Sequence, residues 1–184
     1  MFLHCLGNIS NWSVIVSQEI DHLKVNHTFL KQSSLSQYEI MTTNGILKMS
    51  IPTIKKTRNG LYENIQIDYN SNWRTEQWRG IENAYVKSPF FLYYGYKIES
   101  VFKEEYTSLL ELNFALHRCI CKCIKVDSRQ IDKETNIHFH KEAKNSVKPY
   151  PQVYDAKREF ESDLSILDLL FNLGPETHDY LLRL

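Results

Sequence analysis

Asn72-Trp73-Arg74-Thr75-Glu76-Gln77-Trp78-Arg79-Gly80-Ile81-Glu82-Asn83-Ala84-Tyr85 is the stretch on which the reading of this chain turns. At 100° per residue Trp73, Trp78, Ile81, Ala84 and Tyr85 fall on one face about 140° wide, which predicts an amphipathic helix. Asn72 stands where an N-cap is expected, and Pro89 ends the segment. Arg74 and Gln77 lie within the apolar face. Such a residue reaches to solvent along its stem, finds a partner or serves a ligand. Arg79 and Glu82 sit three apart on the wet side and suit a surface pair; the other reading is a polar pocket in which Arg74 or Arg79 holds a phosphate or carboxylate.

Outward from this helix the pattern alternates between strand and helix signals. Tyr38–Thr42 and Ile46–Ile51 flank Thr43-Asn44-Gly45 and predict a hairpin with a type I′ turn at Asn44-Gly45. Leu47, Met49 and Ile51 form its dry face, and Pro52 ends it. Short strands are expected at 2–6, Leu23–Val25, Ile65–Tyr69 and Gln152–Tyr154. Helices are expected from Ile9 to about Gln18, from Ser108 to Cys123, over Ile166–Leu173 with a Gly174-Pro175 stop, and over Glu176–Leu182. The run Pro89-Phe90-Phe91-Leu92-Tyr93-Tyr94 reads as a packing knot or a stacking platform, and exposed Phe90, Phe91 and Tyr94 would suit a homodimer contact. Residues 125–148 are polar and read as loosely packed. The whole is a mixed α/β chain of one domain, with a small sheet and several packed helices.

Composition narrows the function classes. Of 184 residues, 22 are Lys or Arg and 22 are Asp or Glu. No global field therefore favours nucleic acid or an anionic membrane. No apolar run approaches the roughly 18 residues of a membrane span, and Met1–Leu6 lacks a cationic start, so cytoplasmic residence is expected. Cys5, Cys119, Cys121 and Cys123 read as reduced thiols. Neither Cys119-x-Cys-x-Cys123 nor His138-x-His140 has zinc-knuckle spacing, so no metal is expected. The residues identify no cofactor.

Two further features bear on chemistry. Lys55, Lys56 and Arg58 surround a loop at a strand end, either a solvated turn or a source of ligand groups. Asp168 interrupts an apolar helix; Ser165-Ile166-Leu167-Asp168 has capping-box form, and a part-buried carboxylate there would also suit catalysis.

Ser50-Ile51-Pro52-Thr53-Ile54-Lys55, the Asn72–Tyr85 helix, Pro89-Phe90-Phe91-x-Tyr93-Tyr94 and Leu164–Phe171 with Gly174-Pro175 together resemble the WbqC-like family, in the form carried by Bacteroidetes members. The resemblance implies a cytosolic transferase-like or sugar-modifying factor of surface-polysaccharide and O-antigen biosynthesis, or a non-catalytic binding or scaffold protein of the same pathway. Its ligand would be an anionic or nucleotide-linked small molecule, contacted by Lys55, Arg74, Gln77, Trp78, Arg79 and Tyr85, with Glu82 or Asp168 as acid/base. Two departures count against activity. Relatives usually carry His where this chain has Gln77, and an amide does not titrate. Their proline-containing N-terminal turn is here Cys5-Leu6-Gly7-Asn8.

Overall fold

The computed structural model describes residues 3–17, 28–29, 33–126, 147–154 and 159–184. Among them are one two-stranded sheet and six α-helices. The strands are β1 (Gln37–Thr42) and β2 (Gly45–Ser50). The helices are α1 (Ile9–Val16), α2 (Trp73–Tyr85), α3 (Phe91–Lys103), α4 (Leu109–Ile124), α5 (Ile166–Leu173) and α6 (Thr177–Leu182). A mixed α/β arrangement is what the hydrophobic patterning predicts, with helices carrying more of it than the strand signals suggest.

The antiparallel hairpin pairs Gln37 with Ser50 and Thr42 with Gly45. Its turn is therefore Thr43-Asn44. The positive φ that the turn needs falls on Gly45, at +115°, and not on Asn44, so the expected type I′ turn is corrected. Leu47, near the tip, is exposed, while Met49 and Ile51 are buried. Ile65 and Ile67 are buried with Gln66 outward, as the alternation requires, but this segment makes isolated bridges to Thr53 and Ser108 and forms no ladder. Gln152–Tyr154 is likewise not a strand, and Leu3–Leu6 is a buried turn in which Leu6 takes φ +45°. The expected strand at Leu23–Val25 and most of the polar segment (127–146) lie outside the described residues.

The helix that periodicity missed is α3. Phe91, Gly95, Ile98 and Phe102 are its buried stripe, at spacings of four, three and four. Gly95 leaves room for the Phe91 ring, which a β-carbon there would approach to 3.1 Å. The aromatic run is thus the first turn of a helix. Phe91 faces inward, against the expectation that it is exposed, and the residues facing solvent are Leu92, Tyr93 and Tyr96.

Helix α5 is the centre of the core. From Ile166 to Asn172 every residue is buried, so α5 is apolar all round apart from Asp168 and Asn172. Ser165 caps it by accepting from Leu167 N. Gly174 ends it at φ +54°, with the Phe90 ring 2.4 Å from where a β-carbon would stand. Around it lie α1, α3, α6 and β1. Helix α4 is fixed at its start by a full capping box between Ser108 and Glu111.

Candidate functional site

The side chains expected to form a site on α2 go to separate tasks. Gln77 is buried, accepts from the Tyr38 hydroxyl at 2.6 Å and donates to Ser50 O at 3.0 Å, tying α2 to both strands of the hairpin. Arg74 donates to Lys103 O at 3.2 Å and Glu104 O at 3.5 Å, and meets Glu105 Oε1 at 3.3 Å. Its guanidinium also lies over Tyr69, 5.4 Å from the ring centre. Arg74 therefore closes the C-terminal end of α3, where free carbonyls and the helix dipole favour a cation. Asn72, though at the N-cap, makes no capping bond with its side chain; its Oδ1 accepts from Thr75 instead.

Trp78 stacks on Phe91 with ring centres 5.8 Å apart. Arg79 and Glu82 are exposed and do not form an ion pair with each other. Lys55 is exposed, in a short 3-10 turn.

Tyr85 and Asp168 do come together. Tyr85 is fully buried, accepts from Met41 N at 3.3 Å and lies beside the Asp168 carboxylate. Burial first, and then that carboxylate, push its hydroxyl pKa well up. Asp168 Oδ2 accepts from the Tyr150 hydroxyl at 2.6 Å and from Gln152 Nε2 at 2.9 Å. Instead of closing a capping box, the carboxylate turns inward and binds the 147–154 segment to α5. Charge-assisted bonds of this kind are strong, and they satisfy an anion that would otherwise be costly to bury.

A different place has the features of a binding site. Gln37, at the start of β1, lines two open clefts, of about 150 and 370 Å³. The smaller is walled by the Cys5–Asn8 turn, Glu39, Lys48 and Asp163. The larger is walled by Phe29, the Ser50–Thr53 segment and Arg58. Arg58 folds back over its loop, its Nε donating to Thr53 Oγ1 at 2.9 Å and Nη2 to Thr53 O at 2.6 Å. Both partners are neutral. Among the described residues no carboxylate meets this half-buried guanidinium, and three of its five N–H donors stay uncommitted. The Gln37 side-chain oxygen is buried and, among the described residues, has no hydrogen-bond partner. A buried acceptor without a donor is unusual unless something else completes it.

Asp163 adds a carboxyl to the smaller cleft. It takes φ +57°, accepts from Ser10 N and from Asn8 Nδ2, each at 2.7 Å, and so anchors the start of α1. Burial raises its pKa, against the lowering effect of the Ser10 bond. Sequence reading named Lys55, Lys56 and Arg58 around this loop and took Lys55 as the ligand contact; the residue lining the cleft is Arg58. Nothing in the local pattern marks Gln37 or Asp163, because the two residues are more than 100 positions apart in the chain.

The described residues hold no group of three or more His, Cys, Asp or Glu side chains arranged to ligate a metal ion, and no helix among them is long and apolar enough to cross a membrane. His138 and His140 lie outside them. The WbqC-like protein family profile matches this chain over residues 23–148 and 132–180. No curated protein and no solved structure matches it.

Proposed function

The chain belongs to the WbqC-like protein family, and on that footing we propose that it is a cytosolic transferase-like or sugar-modifying factor of surface-polysaccharide biosynthesis whose ligand binds in the clefts beside Gln37. The observation that carries the proposal is the Arg58 guanidinium, half-buried at the larger cleft with only the neutral Thr53 for a partner. A phosphate or carboxylate would complete it. The buried Gln37 oxygen calls for a donor, which a sugar hydroxyl supplies. An anionic group and a hydroxyl on one small molecule describe a sugar phosphate or nucleotide-linked sugar.

Neither Glu82 nor Asp168 lines these clefts. The carboxyl that does, and that burial biases towards its protonated form, is Asp163. A transferase-like activity at this place would draw on Asp163 for acid/base work.

The test is thermal shift against nucleotide sugars, with inorganic pyrophosphate alongside. A ligand at a hundred times its Kd should add about 2.7 kcal/mol, and Arg58→Ala should abolish that gain. Absence of any shift across the panel would remove the proposal. A second reading, a non-catalytic binding or scaffold protein of the same pathway, is favoured by the dispersal of Lys55, Arg79 and Glu82 and by the solvent-facing Leu92, Tyr93 and Tyr96 of α3. In that case binding would persist unchanged in Asp163→Asn and no turnover would accompany it.

A further inference from the structure

The hairpin has two outer edges, and the described residues cover them unequally. On β1, Ser165 N donates to Glu39 O at 3.0 Å and Met41 N donates to the Tyr85 hydroxyl at 3.3 Å. The backbone groups of Glu39 and Met41 therefore point away from β2. Glu39 lies opposite Lys48, and Met41 opposite Ile46. These are then the pairs that exchange no hydrogen bonds, so Ile46 and Lys48 aim their own N–H and C=O groups outward from β2. Ser50 does the same, and its carbonyl is taken by Gln77. Among the described residues nothing pairs with the N–H and C=O groups of Ile46 and Lys48.

The side chains along this edge match its open backbone. Ile46 and Leu47 are 47% and 42% exposed. Leu47 shares a face with the buried Met49 and Ile51 and stands opposite the buried Ile40. The apolar layer of the hairpin thus runs out to the edge of β2 and ends there on a half-covered leucine. Lysine on an edge strand commonly keeps other strands away. Here the Lys48 ammonium reaches back across the hairpin to Glu39, 3.9 Å away, and leaves the edge clear.

We propose that β2 is the contact strand of a two-fold dimer, pairing antiparallel with β2 of a second copy to make one continuous sheet. The donors and acceptors fix the register. With Leu47 on the two-fold axis, Ile46 of each copy faces Lys48 of the other, and every open N–H meets an open C=O across the axis. Leu47 packs on Leu47 of the second copy, so the apolar row from Ile40 to Leu47 continues into its duplicate. Each Lys48 keeps its own Glu39 and meets an isoleucine instead of a like charge. A second copy suits this edge better than an unrelated peptide. Added peptide strands draw specificity from pockets for alternate side chains, and neither cleft is lined by Ile46 or Leu47, whereas the edge is complementary to itself about Leu47. The dimer also brings Ile46 of the second copy beside Lys48, at the rim of the smaller cleft.

The experiment is sedimentation equilibrium of the whole chain, which should reach twice its 21.8 kDa in the upper micromolar range, since so short an edge gives a weak association. Ile46→Pro removes one outward donor from each copy and no bond within the hairpin. It should weaken the dimer roughly tenfold or more, with an unchanged circular dichroism spectrum. Leu47→Cys reads the register without touching the backbone. Under mild oxidation two copies should join through position 47, where directly opposed Cα atoms stand about 4.5 Å apart. Lys48→Cys should not join to itself, because its counterpart lies diagonally across the axis, beyond disulfide reach. A chain that stays monomeric throughout, as an edge reserved for another protein's strand would be, overturns the proposal. So does a dimer that keeps its strength in Ile46→Pro and does not join in Leu47→Cys.

Discussion

Two regions of this molecule hold polar side chains away from water, and they treat them in opposite ways. Around Asp168 the donors converge: Tyr150 and Gln152 both reach one carboxylate oxygen, Gln152 also holds both backbone groups of Glu161, and Asn172 Nδ2 donates to the Asp168 carbonyl. Around Gln37 they do not. Arg58 meets only Thr53, and the Gln37 oxygen meets nothing among the described residues. A carboxylate held by several donors is architecture, since its charge is already balanced. An open cluster is where a ligand has work to do.

The sharpest way to break this contrast is to open the saturated side. Asp168→Ala strands the Tyr150 hydroxyl in the core and removes one bond of the Gln152 amide, and should cost roughly 3–5 kcal/mol, measured by urea denaturation. A loss below about 1 kcal/mol would show that the cluster is not what holds the 147–154 segment to α5.

Acid should act through a second buried group. His117 stacks on Trp12 at 4.7 Å, and burial lowers its pKa to about 4, against about 6.5 when unfolded. Between those values the unfolded chain binds the extra proton. The stability His117 contributes is therefore full above pH 6.5 and is lost as pH falls towards 4, by about 3 kcal/mol at most. Denaturation midpoints between pH 7 and 4 should follow this fall, and His117→Phe should flatten it.

Gln77 lies between the two regions, satisfied like the first and next to the second. Gln77→Leu leaves Tyr38 and Ser50 O without partners and should cost roughly 1–3 kcal/mol. Smallest of all, Arg58→Ala should change stability by less than about 1 kcal/mol, because its partners face an open cleft, while removing the anion response. If Arg58→Ala destabilised as strongly as Asp168→Ala, the two regions would be alike and the distinction would fail.

How far the sequence foretold this depends on where each signal comes from. Local signals worked: the helix start at Ser108, the hairpin around Asn44, the Gly174-Pro175 stop and the apolar face of α2 are set within a few residues. Helix α3 went unread: Phe91, Ile98 and Phe102 carry its spacing, but Gly95 and the density of aromatics disguised it. What no local pattern carries is which polar group meets which. Arg74 and Gln77 share a helix face, yet one finds the end of α3 and the other the hairpin. That choice is made by tertiary packing, and so is the meeting of Gln37 with Arg58 on one side and Asp163 on the other.

The Cys5–Asn8 turn is sewn to the segment before α5: Ile9 N bonds to Leu164 O at 3.0 Å and Ile166 N to Gly7 O at 3.0 Å, while Ser165 Oγ donates to Leu6 O at 3.0 Å. During synthesis this turn emerges early and waits for partners made some 155 residues later. At about 5–20 residues per second, that delay is on the order of ten to thirty seconds. Through it, Leu3, Leu6 and Ile9 lack these partners, and the smaller cleft cannot exist until the segment around Asp163 and Ser165 has left the ribosome.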